Sequence, residues 1–246
     1  MVNLTEKIVL VTGASSGIGK ATAVEFARKG ASVVLAARRL EKLAELHDHI
    51  LTFNENCIYV RTDVTSEADV VNLFDRAWEK FGRVDILINN AGRGLKSELT
   101  DMAAEDWQAV IETNLTSVFL CTREAARRMK EQQVAGHIIT VCSIAGLFGA
   151  ATYSAYCASK HGVAGFLKAV KGELRKHNIK LSAIYPARVD TEFFDIYQKR
   201  PDKRQMLDAT DIARYIVAIA TRCPRTIAAV RCKNFFKRIL SLAGVK

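Results

Sequence analysis

Residues 11–22 read VTGASSGIGKAT, between a short β-branched run and a stretch with helical spacing. Glycines followed by lysine and threonine suggest a loop that holds phosphate. A triphosphate loop needs G-x-x-x-x-G-K-[ST], with the lysine on the outer phosphates and the hydroxyl on magnesium. Here Gly13 and Gly19 are separated by five residues, and Ala21 follows Lys20. The glycines fall instead as G-x-x-x-G-x-G, at 13, 17 and 19. Spacing alone does not decide which phosphate is meant, so the flanking sequence must.

KIVLVT (7–12) has the look of a strand buried on both faces. ATAVEFARKG (21–30) predicts a helix closed by Gly30. Strand signals recur at ASVVLAA, CIYVRTDV, VDILINNAG, GHIITVCS and IKLSAIYP, with TIAAV as a last one. Helical patterns lie between them: 39–50, a segment capped by Ser66 and ended by Gly82, a long stretch from about Ala104 to Lys130, and the run that begins at Tyr153. No linker, internal repeat or low-complexity segment interrupts the alternation. The pattern predicts a single α/β domain, a doubly wound parallel sheet flanked by helices on both faces. A glycine loop between the first strand and first helix of such a series sets backbone N–H groups and a helix N-terminus against a pyrophosphate.

Composition narrows the class further. The 246 residues are 49% hydrophobic and 25% charged, enough for one full-sized core. No apolar run is long enough to span a bilayer, and MVNLTEKIVLVTG does not resemble a signal peptide. The six cysteines form no C-x-x-C pair and no zinc spacing, so thiols in a reducing cytoplasm are expected. His47 and His49, two apart, do not share a helix face, and no metal site is expected. The net charge is +10, yet from Ile212 onward the chain has eight basic and no acidic residues. The remainder holds 28 basic against 26 acidic side chains, which argues against a broad nucleic-acid-binding face.

Two further patterns carry chemistry. Tyr156 and Lys160 in YCASK stand one helical turn apart on one face. An ammonium beside a phenol favours the phenolate, so the spacing predicts a lowered tyrosine pKa and proton exchange near neutral pH. The same spacing also arises on helices by accident. Ser143 ends the strand before it, at the edge where open α/β sheets bind ligands, and a hydroxyl there can donate to a carbonyl oxygen.

TGASSGIG (12–19), Asp63 in TDVT, NNAG (89–92), Asn114 in ETNLTSVF, Ser143 and YCASK (156–160) stand together in one order. In that order and spacing the chain resembles the short-chain dehydrogenase/reductase family over nearly its whole length. The resemblance implies a Rossmann-like fold, a nicotinamide dinucleotide and a small carbonyl or secondary-alcohol substrate. It implies that Gly13, Ser15, Ser16, Gly17, Ile18 and Gly19 form the pyrophosphate turn, that Asp63 and Val64 meet the adenine, and that Asn90, Ala91 and Gly92 back the adenine ribose. Ser143 would polarise the substrate oxygen, Tyr156 would be the acid/base, and Lys160 would hold the nicotinamide ribose and depress the tyrosine pKa. Asn114 would keep a water in a relay behind Lys160. Val189 and Thr191 would flank the nicotinamide end. Ala187 departs from the Pro-Gly that usually follows, which puts the substrate class in doubt. A non-catalytic dinucleotide sensor or scaffold is the alternative reading of the fold.

NAD-preferring members end the second strand on an acid that binds the ribose hydroxyls. This chain has Ala37 there, followed by Arg38 and Arg39. Guanidinium groups suit the 2′-phosphate of NADP(H) better than the bare ribose of NAD(H), and Arg38 is the expected main contact. The other reading is a solvated arginine pair at a helix start. For the small residues Ala158, Gly162 and Gly165 the resemblance suggests a subunit face, in a homodimer or homotetramer, and packing within the chain is the alternative. Trp78 and Trp107 are expected in the core or between helices. Arg93, Leu95, Ala145, Leu147, Phe148, Tyr153, Phe193 and Phe194 are expected around the substrate. The domain is expected to span 1–231. The basic, amphipathic segment 232–246 suits either docking on a subunit or contact with an anionic membrane surface.

Overall fold

A computed structural model describes residues 3–195, 202–222 and 228–230. The segment 232–246 lies outside the described residues, and so does its choice between subunit and membrane.

Among the described residues seven strands form one wholly parallel sheet. They are β1 (Ile8–Thr12), β2 (Ser32–Ala37), β3 (Cys57–Arg61), β4 (Ile86–Asn89), β5 (His137–Val141), β6 (Lys180–Pro186) and β7 (Ala228–Val230). Their spatial order is 3-2-1-4-5-6-7, so the chain winds outward from β1, then returns to β4 and winds the other way. Beside β1 the connections diverge and leave a crevice at the carboxyl ends of the strands.

The helices are α1 (Gly17–Arg28), α2 (Leu40–Leu51), α3 (Glu67–Phe81), α4 (Ala104–Ile111), α5 (Ser117–Glu131), α6 (Ser154–Arg175) and α7 (Ala209–Arg222). Alternate strand residues feed the two larger of the three cores among the described residues. Val9, Val11, Val33 and Leu35 meet Phe26 of α1, Leu43 and Leu46 of α2, and Ile212 and Ile216 of α7. Leu10, Val34, Leu87 and Ile138 meet Phe74 of α3, Leu120 and Met129 of α5, and Leu174 of α6. All five β1 residues are buried, as expected of an apolar run that is covered on both sides.

The end signals act as their residue types predict. The Ser66 hydroxyl accepts from the Asp69 N–H, and Gly82 closes α3 in the left-handed conformation. One expected element differs. The stretch from Ala104 is not a continuous α-helix, because Glu112–Thr116 forms a π-helical turn between α4 and α5. Asn114 stands in that turn, where its side chain reaches Arg93 and Ser159. Trp78 packs against the second core, but Trp107 is 38% exposed on α4 rather than buried. The small residues of α6 divide: a Cβ on Gly162 would meet Leu115 of the same chain, whereas one on Gly165 would meet nothing.

Candidate active site

The glycine turn is built against the end of β4. Gly13 and Gly17 have positive φ, +66° and +53°. A Cβ on Gly19 would come within 2.3 Å of the Gly13 carbonyl oxygen and 2.4 Å of Asn90 Nδ2. Asn90 Nδ2 donates to the carbonyls of Thr12 and Gly13, at 3.0 and 3.2 Å. The Thr12 hydroxyl accepts from the N–H groups of Asn90 and Ala91. TG and NNAG therefore hold each other, a role for Thr12 and the Asn90 side chain that their separate positions in sequence do not show. α1 begins with no side-chain cap and no acidic residue in its first turn, which leaves N–H groups and the positive end of the helix for an anion.

A cleft of about 700 Å³ runs over this turn. Seventeen of the nineteen residues expected at the site line it, from Arg38, Arg39, Asp63 and Val64 through the glycine turn to Val189, Thr191, Ser143, Tyr156 and Lys160. Gly19 and Asn114 are buried behind its wall. Of the expected substrate neighbours, Arg93, Ala145, Phe148, Tyr153, Phe193 and Phe194 line it, and Leu95 and Leu147 do not. Ala187 lines it without a positive φ, so the missing glycine brings no backbone strain.

At the β2 end, Asp63 accepts from the Thr65 N–H and hydroxyl, at 3.0 and 2.8 Å. Burial tends to raise its pKa. The Thr65 bonds and the charges of Arg38 and Arg61 outweigh this and hold it below the usual carboxylate range. Arg39 turns back over the glycine turn to the hydroxyls of Ser15 (3.0 Å) and Ser16 (2.6 Å). Its other end meets Glu192, which Lys42 also holds. Glu192 and Lys42 have no local sequence signal, since their partners are about 150 residues away.

At the other end, Ser143 follows β5 and caps one turn of 3₁₀ helix at Ile144–Gly146. Its side chain faces the Tyr156 hydroxyl and favours the charged form. Tyr156 is on the first turn of α6, with its ring against Phe193 at 5.5 Å between centroids. Lys160 is buried one turn later, its Nζ 5.8 Å from the centre of the Tyr156 ring and 3.4 Å from the Val141 carbonyl. The electrostatics correct the expectation for this pair. Burial raises the Tyr156 pKa above the phenol range, opposed by Ser143, and burial also lowers the Lys160 pKa. Removing both groups from water penalises phenolate and ammonium alike. Asn114 is fully buried, accepting from the Arg93 N–H and donating to the Arg93 carbonyl and the Ser159 hydroxyl. It thereby ties the π turn to the loop after β4 and to α6.

Ser143, Tyr156 and a buried lysine line one end of a cleft whose middle is cut to glycine. The sequence profile of the short chain dehydrogenase family matches residues 7–202. The chain is a short-chain dehydrogenase/reductase. This short-chain dehydrogenase/reductase is 38% identical to a 3-oxoacyl-[acyl-carrier-protein] reductase of Synechocystis over 216 residues, 87% of this chain and 85% of that one. It is 36% identical to an uncharacterised oxidoreductase of Staphylococcus aureus over 222 residues, 90% and 94% of the two chains. A short-chain dehydrogenase/reductase of Burkholderia phymatum, solved in complex with NAD, superimposes with a TM-score of 0.85 at 30% identity and covers 99% of this chain and 94% of its own. The chain thus belongs to a family of oxidoreductases. Among the described residues no cluster suited to a metal is present, and no helix is long and apolar enough to cross a membrane.

Proposed function

We propose that this oxidoreductase interconverts a carbonyl and a secondary alcohol with NADP(H), using Ser143, Tyr156, Lys160 and Asn114. The convergence of the Ser143 and Tyr156 hydroxyls in the cleft of the glycine turn carries the reading. A dinucleotide fits this cleft. Its pyrophosphate has the uncapped start of α1 and a surface without Cβ atoms, and its ends have Arg38 and Lys160. When bound, NADPH supplies a hydride to the carbonyl carbon. Ser143 and Tyr156 both donate to the carbonyl oxygen and stabilise the charge that develops there. The raised pKa keeps Tyr156 a phenol at neutral pH, so it holds the proton that the alcohol product needs. Lys160 takes the nicotinamide ribose, and Asn114 keeps the loop after β4 and α6 in register behind it.

Arg38 supports NADP(H), since it lines the cleft where an acid would favour NAD(H). The solved neighbour with NAD makes this a matter for direct comparison. A sensor or scaffold needs the dinucleotide cleft but not the hydroxyl pair, and that pair favours the enzyme. Phe119, 39% exposed and edge-on to Phe166, and the open space at Gly165 support self-association into a homodimer or homotetramer. The test is a panel of carbonyl compounds, including a 3-oxoacyl thioester, followed by loss of NADPH or NADH absorbance. Reduction with NADPH favoured is expected. Binding of the dinucleotide with no turnover of any carbonyl would return the chain to the sensor reading.

A further inference from the structure

The cations at the β2 end of the cleft are not equally free. Arg39 spends its guanidinium on Ser15, Ser16 and, at 2.8 Å, Glu192. Lys42 lies 3.0 and 3.2 Å from the two oxygens of the same carboxylate. Arg38 has no hydrogen-bond or ion-pair partner among the described residues. Glu192 comes from the one-turn helix after β6, and it lines the cleft with both arginines.

We infer that Glu192 is a specificity-determining residue that works against the 2′-phosphate, as a resident carboxylate on Arg39, which lines the cleft with Arg38, and on Lys42. This rests on the reading that the cleft takes a nicotinamide dinucleotide. A 2′-phosphate brings nearly two negative charges to a site where one carboxylate already neutralises part of the field. It must share Arg39 and Lys42 with Glu192 or displace it, and it meets like-charge repulsion either way. A bare ribose carries no charge and escapes both effects. Arg38 then pulls the choice toward NADP(H) while Glu192 moderates it. The pairs are half exposed, with Glu192 47% and Arg39 45% accessible in their side chains, so the effect is modest and tunable.

The test measures dissociation constants of NADPH, NADH and 2′-AMP by fluorescence or calorimetry, for the full chain and for Glu192→Gln. Removing one charge from exposed pairs should tighten NADPH and 2′-AMP by roughly three- to tenfold and leave NADH nearly unchanged. Adding Lys42→Met to Glu192→Gln should take back part of that gain. A thermal melt checks that each variant is folded. An unchanged NADPH-to-NADH ratio overturns the inference. Equal weakening of both cofactors also overturns it, and would make Glu192 a strap that closes the cleft. A parent that prefers NADH removes the assignment of Arg38 but leaves the change of ratio on Glu192→Gln as the measure of this inference. A parent that binds neither dinucleotide overturns both readings.

Discussion

Tyr156 and Arg38 are the residues on which the chemistry turns. Tyr156→Phe keeps the ring against Phe193 and removes the proton. Reduction should fall by roughly 10²–10⁴-fold with dinucleotide binding intact, as steady-state rates and a binding titration will show. Arg38→Ala should weaken NADPH by roughly ten- to a hundredfold and NADH far less, because only one of them carries the charge it meets. The residue types at these positions were legible in sequence because their spacing is local: one helical turn for Tyr156 and Lys160, and the end of a strand for Arg38. The state of the tyrosine was not. Its pKa depends on how deeply α6 sits against the segment after β5, and no count of residues reports burial.

At the scale of the element, strands and caps were legible where a side chain acts on its own neighbourhood. Ser66 and Gly82 bound α3 as their types predict. The π turn was not, since Glu112–Thr116 carries no glycine, proline or other breaker, and the partners of Asn114 within it lie 21 and 45 residues away. Asn114→Ala should remove three hydrogen bonds at a fully buried point and leave the Arg93 N–H and carbonyl without them. A loss of about 1–3 kcal/mol in denaturant unfolding is expected, with a larger proportional loss of turnover. Glycines give a paired test. Gly19→Ala drives a methyl into the Gly13 carbonyl and should abolish dinucleotide binding, whereas the exposed Gly172 of α6 has open space around it. Gly172→Ala should therefore stabilise the protein by about 0.5–1 kcal/mol, read as a raised Tm.

For the whole molecule, one buried group ties stability to acid. His137, at the start of β5, is 7% exposed, pairs with Ser182 at 2.9 Å, and is held down to about 4 by burial and by Lys180. Below the ordinary histidine pKa the unfolded chain takes a proton that the folded chain refuses until about pH 4. Stability should thus be insensitive to this group above pH ~6.5 and fall by up to roughly 3 kcal/mol as the pH drops to about 4. The difference between parent and His137→Gln in urea unfolding, followed across that range, isolates the step. The winding order has a consequence of another kind. Everything up to Gly82 supplies the glycine turn, Arg38 and Arg39, and everything from Arg83 supplies Ser143, Tyr156 and Lys160. The halves join along the β1–β4 ladder, through Asn90 on the Gly13 carbonyl, and where α1 packs on α7. Cut at that exposed glycine, the polypeptide would become two fragments that each carry half of the site, and dinucleotide binding is then expected only from the two together.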